Sequence, residues 1–319
     1  MGHAGILTTE QFLQAEREGK MDHRHTSLAL LDLGDQPAEE QVRIFEAICF
    51  RLRFSNGTFR TTFKNRFDDV NAAVLQWMRK LFSKEAPLQV EDRAASTCLT
   101  SAEWAGPLLL EFPQLSFEAS DLLLFLVEAS QKPEEAFVLE PSGAPLQYIH
   151  PPRVLPLGVR ESRIRLANNL RIARLRPRLE DIQIPKDWSS RRNSESVQSG
   201  AWRFRQIPLT HPLARQMERD PRFRMALGSV FDRKGGRTQV LRTMNILNPG
   251  YFSKEQLADG VQAAWESLAE GGLWVAGRTT EQPPYTNHAS LFKKSGSRFE
   301  LLEKIGDGWE WENLALNRG

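Results

Sequence analysis

Only two cysteines, Cys49 and Cys98, occur in the 319 residues. Neither belongs to a C-x-x-C pair or a catalytic cysteine signature, so a disulfide framework and a zinc knuckle are excluded as organising devices. Cys49 lies in an apolar helical stretch and reads as a buried core thiol. Long apolar runs are missing too: the densest, Leu122 to Val127, falls far short of the ~20 residues needed to span a bilayer. The first 25 residues are polar and charged and hold no secretory signal, and Ile6 breaks the myristoylation pattern that Gly2 would open. A cytoplasmic protein without a membrane partner is the expectation. A formal charge of +2 gives no global reason to invoke nucleic acid. Asp22-His23-Arg24-His25 offers two histidines but no third ligand, so it reads as a solvated polar loop and no metal site is expected.

What is present is a regular alternation of strand and helix patterns. After a polar arm with one short helix around Thr9 to Glu18, Val42, Phe45, Ile48, Cys49 and Leu52 fall on one helical face. Val70, Ala73, Val74, Trp77 and Leu81 do the same over Asp68 to Leu81. Leu88 to Asp92 reads as a strand, followed by a helix that Thr100 and Glu103 would cap and Gly106-Pro107 would kink or divide. Leu115 to Asp121 and Phe223 to Phe231 read as further strands. The clearest stretch runs from Thr238 to Thr280. An apolar run from Val240 to Leu247 ends at Asn248-Pro249-Gly250, Ser253 and Gln256 form a capping box, and Leu257, Val261, Ala264, Trp265 and Leu268 recur at helical spacing. Gly271-Gly272 is expected to end that helix before a strand at Leu273 to Ala276, which makes one βαβ unit. Asn287 to Lys293 and Arg298 to Ile305 form a closing hairpin.

Arg242, Asn245 and Leu247, then Tyr251-Phe252 and Gln256, then Gly271-Gly272-Leu273, resemble the chemotaxis-receptor-type and related bacterial members of the class I S-adenosylmethionine-dependent methyltransferases. The resemblance covers residues 55 to 125 and 202 to 316. It implies an α/β fold with a Rossmann-like sheet, a C-terminal antiparallel hairpin and an N-terminal helical cap, and S-adenosylmethionine as the cofactor. Thr58, Phe59 and Arg60, with Arg66-Phe67 just behind, are similar to a cluster whose arginine helps to hold the cofactor in that family. A turn before a basic helix start gives the same letters. By the same likeness Asp92, Ala94 and Ser96 would line the cofactor loop, Asp121 would accept the ribose hydroxyls, and Val230 and Phe231 would meet the adenine. Asn245 and Tyr251 would face the substrate, with Arg242 pairing an anionic group. Two features depart from the pattern. Ala94, Ser96 and Cys98 stand where the family has glycine, and Ser229 stands where related enzymes often have an acid, which appears here at Asp232.

The expected layout is an arm and helical cap over 1–86, a methyltransferase-like core over 87–127 and 201–319, and an insertion over 128–200. Within the insertion Phe137 to Glu140 and Leu146 to Ile149 flank a turn and read as a hairpin. Eight arginines then lie between Arg153 and Arg178 against one acid, Glu161. That run suits either a solvated helix face or an acidic partner. Residues 186–200 read as a mobile loop. Two functions follow: methyl transfer from S-adenosylmethionine to an unknown small-molecule or protein acceptor, or a methyltransferase-like binding module without catalysis.

Overall fold

The computed structural model describes residues 4–34, 38–55, 60, 62–157, 162–186, 188 and 196–317, without the side chains of 162–168 and 171. Its helices are α1 (Thr9–Arg17), α2 (Ala38–Cys49), α3 (Asp68–Leu81), α4 (Leu99–Glu111), α5 (Ser162–Glu180), α6 (Pro212–Met217), α7 (Lys254–Ser267) and α8 (Glu312–Leu316). The strands are β1 (Leu88–Arg93), β2 (Leu115–Asp121), β3 (Phe125–Lys132), β4 (Glu135–Leu139), β5 (Pro145–His150), β6 (Arg153–Pro156) and β7 (Val197–Ser199). They continue with β8 (Trp202–Pro208), β9 (Phe223–Leu227), β10 (Thr238–Met244), β11 (Leu268–Thr279), β12 (Asn287–Ser295) and β13 (Arg298–Ile305). No described helix is long and apolar enough to cross a membrane. Residues 1–61 with 123–212 form one compact unit and 62–122 with 213–319 the other.

The second unit is a Rossmann-like α/β sheet. Its seven strands lie in the order β13-β12-β11-β10-β1-β2-β9. The pairs β9–β2, β2–β1, β1–β10 and β10–β11 are parallel, and β12 and β13 continue the sheet antiparallel. Counted within the unit, the parallel strands follow the order 3-2-1-4-5 of a doubly wound fold, so the order reverses between β1 and β10. One face is covered by α4, where Trp104 meets Phe117 edge-on at 5.3 Å. On the other, Leu257, Val261 and Ala264 of α7 join Leu241, Trp274 and Phe292 in one core.

No helix joins β9 to β10, and the sheet face beside that connection is polar. Glu91 takes Arg93 through both Nε (3.0 Å) and a terminal nitrogen (2.8 Å), and also Thr238 Oγ1 at 2.6 Å. Glu118 takes Lys234 at 3.1 Å and pairs with Arg224. The alternation Ser116, Glu118, Ser120 in β2 records this polar face in the sequence, although Glu118 and Ser120 are buried.

Several expectations change in this unit. The helix at Leu99–Glu111 runs unbroken through Pro107, and its N-cap is Cys98 with no side-chain hydrogen bond. Glu103 accepts the Asn65 N–H on both carboxylate oxygens at 3.1 Å instead of closing a capping box. The third parallel strand stops at Leu227, where Gly228 N–H makes the last rung to Asp121 O at 3.0 Å. α7 ends at Ser267 and β11 begins at once, so Gly271 (φ 76°) sits within the strand, where the register with β10 shifts.

In the first unit a six-stranded antiparallel sheet runs β6-β5-β4-β3-β8-β7. Phe125 pairs with Pro208 across β3 and β8, so one strand pair closes the whole segment 125–208. One core unites Phe12, Leu28, Leu31, Phe45 and Ile48 with Leu126, Val138 and Ile207. Phe12, Leu28, Leu31, Phe45 and Ile48 thus form an apolar cover of this sheet, and the compact units divide after 61, 122 and 212. Trp188, Phe137, Trp202 and Phe204 belong to a further core, with Ile172, Leu175 and Leu179 of α5 packed against it. Within the span expected to be mobile, Val197–Ser199 is a strand and Trp188 is buried; 187 and 189–195 lie outside the described residues.

Candidate functional site

Ligands of doubly wound sheets bind beyond the carboxyl ends of the strands at the point where the order reverses. Here that point is flanked by the turn after β1, residues 94–98, and the turn after β10, which begins at Asn245. Ala94, Ser96 and Cys98 have φ of 58°, 56° and 60°. All three are left-handed, the conformation for which glycine is the default residue. The turn is thus shaped as a glycine-rich loop would be, although its residues are not glycine.

Hydrogen bonds fix this turn to the end of β2. Ala95 N–H donates to Ser120 O at 2.9 Å, and Ser96 N–H donates to Asp121 Oδ2 at 2.8 Å. The next connection reaches the same place. A Cβ on Gly228 would come within 3.1 Å of Ser120 Cβ and of Asp232 Oδ2, so only glycine passes there without displacement. Ser229 N–H donates to Asp232 Oδ2 at 2.9 Å, which commits that acid to its own turn. Phe231 is half-buried and lies edge-on to Phe252 at 5.1 Å, whereas Val230 is buried in the core beneath α7.

Beneath the turn, Asp92 and Arg242 face each other in register on β1 and β10. Arg242 Nε donates to Asp92 Oδ1 at 2.9 Å and a terminal nitrogen to Oδ2 at 2.5 Å, while Ser101 Oγ donates to Oδ2 at 2.5 Å. The guanidinium, fully buried, lies 4.4 Å from the Trp104 ring centroid and 5.0 Å from that of Phe67, and reaches Asn71 Oδ1 at 2.6 Å. Arg242, expected to pair a substrate anion, is thus committed to Asp92 inside the sheet, and Asp92, expected in the cofactor loop, also holds Ser101 at the start of α4.

Asn245 has φ 62°, a value asparagine tolerates better than most residues. Its N–H donates to Gly277 O at 2.8 Å and its Oδ1 accepts the Thr279 N–H at 2.7 Å, so the side chain clamps β10 to β11 at their carboxyl ends. Thr279 Oγ1 donates to Asn287 Oδ1 at 2.8 Å and accepts from Arg66 Nε at 3.1 Å. The Arg66 guanidinium lies 5.4 Å from the Phe63 centroid and 5.5 Å from that of Phe67. Burial lowers its pKa, and Tyr285 and then Tyr251 oppose that shift. Tyr251 is open to solvent (53% exposed), and so is Tyr285 (52%), which leans on Phe63 at 4.9 Å. The sequence reading mentioned Arg66 only as a neighbour of the 58–60 cluster and passed over Tyr285. A tyrosine after Pro283-Pro284, at the tip of the β11–β12 connection, was the available signal.

Arg60 belongs to the first unit, where its guanidinium donates to Leu123 O and lies 5.3 Å from the Phe54 centroid. Thr58 and Phe59 lie outside the described residues. Of the arginine run, Arg178 turns inward to Glu135 at 2.7 Å and Tyr148 Oη at 3.1 Å, and Arg174 and Arg176 are exposed on α5. The side chains of Arg160, Arg163, Arg165 and Arg171 lie outside the described residues. No group of three or more histidine, cysteine or acidic side chains suited to a metal ion occurs among the described residues.

No family model matches the sequence, and no curated protein does. Among solved structures the chain is similar to SAM-bound CalS10, an amino pentose methyltransferase from Micromonospora echinaspora, at 11% identity over 79% of this chain and 81% of that one, with a TM-score of 0.33. It is similar to an O-methyltransferase family protein from Burkholderia thailandensis at 10% identity, over 86% of this chain and 53% of that one, with a TM-score of 0.30. The CMeT domain of the citrinin polyketide synthase gives 12% identity, 86% and 49% coverage, and a TM-score of 0.33. The chain spans about half the length of these last two. Likeness at this level carries no argument about chemistry, and the Rossmann-like assignment stands on the strand order itself.

Proposed function

We propose that the second unit binds S-adenosylmethionine beyond the β1 and β2 ends and transfers its methyl group to an acceptor. One observation carries the reading: three successive alternate residues of the β1–α4 turn are left-handed, and the turn is tied by a backbone N–H to the acid that ends β2. The residues fit such a ligand. Asp121 is half-exposed, and a carboxylate accepts two hydroxyls without offering a competing donor. The backbone of 94–98 would cradle the methionine part, and the ring of Phe231 would meet an adenine face. Bound there, the cofactor supplies an electrophilic methyl on a sulfonium. Held by Asp121, Phe231 and the backbone of 94–98, it would give that methyl to an acceptor lone pair and leave as a neutral thioether, the acceptor's proton going to solvent. The protein's own part is alignment, which explains why no catalytic triad is required.

Calorimetric titration with S-adenosylmethionine and S-adenosylhomocysteine tests this. The expected result is binding of both, weakened about tenfold or more in Asp121→Ala, because the carboxylate both meets the ribose and holds the Ser96 N–H. Absence of binding at millimolar ligand would leave the fold without this activity, and unchanged affinity in the variant would remove Asp121 from the site.

A further inference from the structure

The first unit holds a cavity of its own, about 470 Å³ in volume, between α1, α2 and the residues that follow α1. That size lies within the range of small-molecule sites, roughly 300–1,000 Å³. α2 gives Ile44, Phe45, Ile48 and Cys49 to the core, and the next row round the helix, Arg43 and Ala47 with Phe50 just beyond its end, lines the cavity. Phe12, which is fully buried, and Met21, which packs against the same core, complete a mainly apolar lining. The charged groups in the wall differ in their partners. Arg43 Nε meets Glu16 Oε2 at 3.1 Å, which compensates that charge. Arg51 is exposed, donates to His23 Nε2 and has no carboxylate partner among the described residues. Burial and then the Arg51 charge lower the His23 pKa, with Asp22 opposing, so the ring is neutral at pH 7 and can accept. Its hydrogen then sits on Nδ1, which is buried without a partner among the described residues. Arg51 is thus a cation oriented by a neutral acceptor, without a counter-charge, beside an apolar cavity.

We propose that this cavity binds a small monocarboxylate with an apolar body, the carboxylate on Arg51 and the body against Phe12, Met21 and Phe50. The site lies within residues 1–61 and does not depend on the methyl-transfer reading of the other unit. A guanidinium presents paired planar donors that match the two oxygens of a carboxylate, and the apolar lining gains by removing the ligand's hydrocarbon from water. Glu16 and Glu46 stand in the same wall, and their charge disfavours a dianion, so a carboxylate fits better than a phosphate monoester. His23 enters as a positioning residue, acting through Arg51.

The full chain can be titrated with octanoate, octanamide, octyl phosphate and acetate, by calorimetry and ligand-observed NMR. Octanoate is expected to bind, with each of the other three about tenfold weaker or worse, because octanamide lacks the charge, acetate lacks the apolar body and octyl phosphate brings a second charge near Glu16 and Glu46. Arg51→Gln, at an exposed position, is expected to bring octanoate down to the level of octanamide. His23→Leu removes the acceptor that orients Arg51 and is expected to weaken octanoate alone, whereas His23→Gln keeps an acceptor and is expected to restore the preference for octanoate over octanamide. Excess S-adenosylhomocysteine is expected to leave octanoate binding unchanged. No octanoate binding at millimolar ligand, equal binding of octanoate and octanamide, or a preference that survives Arg51→Gln overturns the proposal. So does displacement of octanoate by S-adenosylhomocysteine, which would put both ligands in one site. Tighter binding of octyl phosphate than of octanoate overturns the choice of a monocarboxylate, and equal loss in His23→Leu and His23→Gln overturns the role given to His23. Should circular dichroism show that the His23 variants do not fold, the wild-type comparison and Arg51→Gln decide the matter.

Discussion

Ala94, Ser96 and Cys98 carry the most information per residue. By letter they read as the loss of a glycine loop, yet their φ values of 58°, 56° and 60° keep the backbone path that glycine would take. A side chain in the left-handed region costs about 1–2 kcal/mol, and reverting to glycine returns about 0.4–1 kcal/mol of that through the more flexible unfolded chain. Ala94→Gly is therefore expected to stabilise the protein by about 0.5–1 kcal/mol, read as a raised urea midpoint at unchanged slope. A lowered midpoint would show that the Ala94 methyl contributes packing that outweighs its backbone penalty. Torsion was not legible in the sequence, because a residue type states a preference for φ and only the surrounding hydrogen bonds, such as Ser96 N–H to Asp121, can hold the rarer value.

Among the elements, two with an apolar stripe or clean alternation were legible to the residue. The helix Asp68–Leu81 and the strand Leu115–Asp121 stand where periodicity put them. Phe223 to Phe231 did not, since Val230 is buried from a turn and its apolarity imitates a longer strand. The pairing of β1 with β10 depends on a group that sequence reasoning assigned to the substrate. Arg242 and Asp92 are both almost fully buried, and the pair joins the two strands where the sheet order reverses. Removing one partner leaves the other charge buried and uncompensated, which costs about 3–5 kcal/mol. Arg242→Met is expected to lose that amount in denaturant unfolding, and adding Asp92→Asn should recover part of it, because the amide carries no charge. An additive double variant would mean that the two side chains act independently.

At the scale of the whole molecule, each unit contains one cysteine. Cys49 is fully buried in the first, its thiol pushed up to about 12 by burial with Arg60 opposing, and Cys98 is fully buried in the second. A protonated, inaccessible thiol does not react. Native protein is expected to show no reaction with Ellman's reagent, and protein unfolded in guanidinium chloride to show both thiols. Rapid reaction of one thiol in the native state would reveal that its unit opens alone. The sequence by itself determined the βαβ stretch around Thr238–Thr280, the closing hairpin and the acid at the end of β2, because these follow from local periodicity, caps and turns. Tertiary structure alone decided that residues 1–61 join 123–212 in one unit, that Arg242 is committed to Asp92, and that Arg66 is held by Thr279. Each of these brings together groups distant in sequence, and which charge lies beside which depends on strand register and crossover, which no local pattern records.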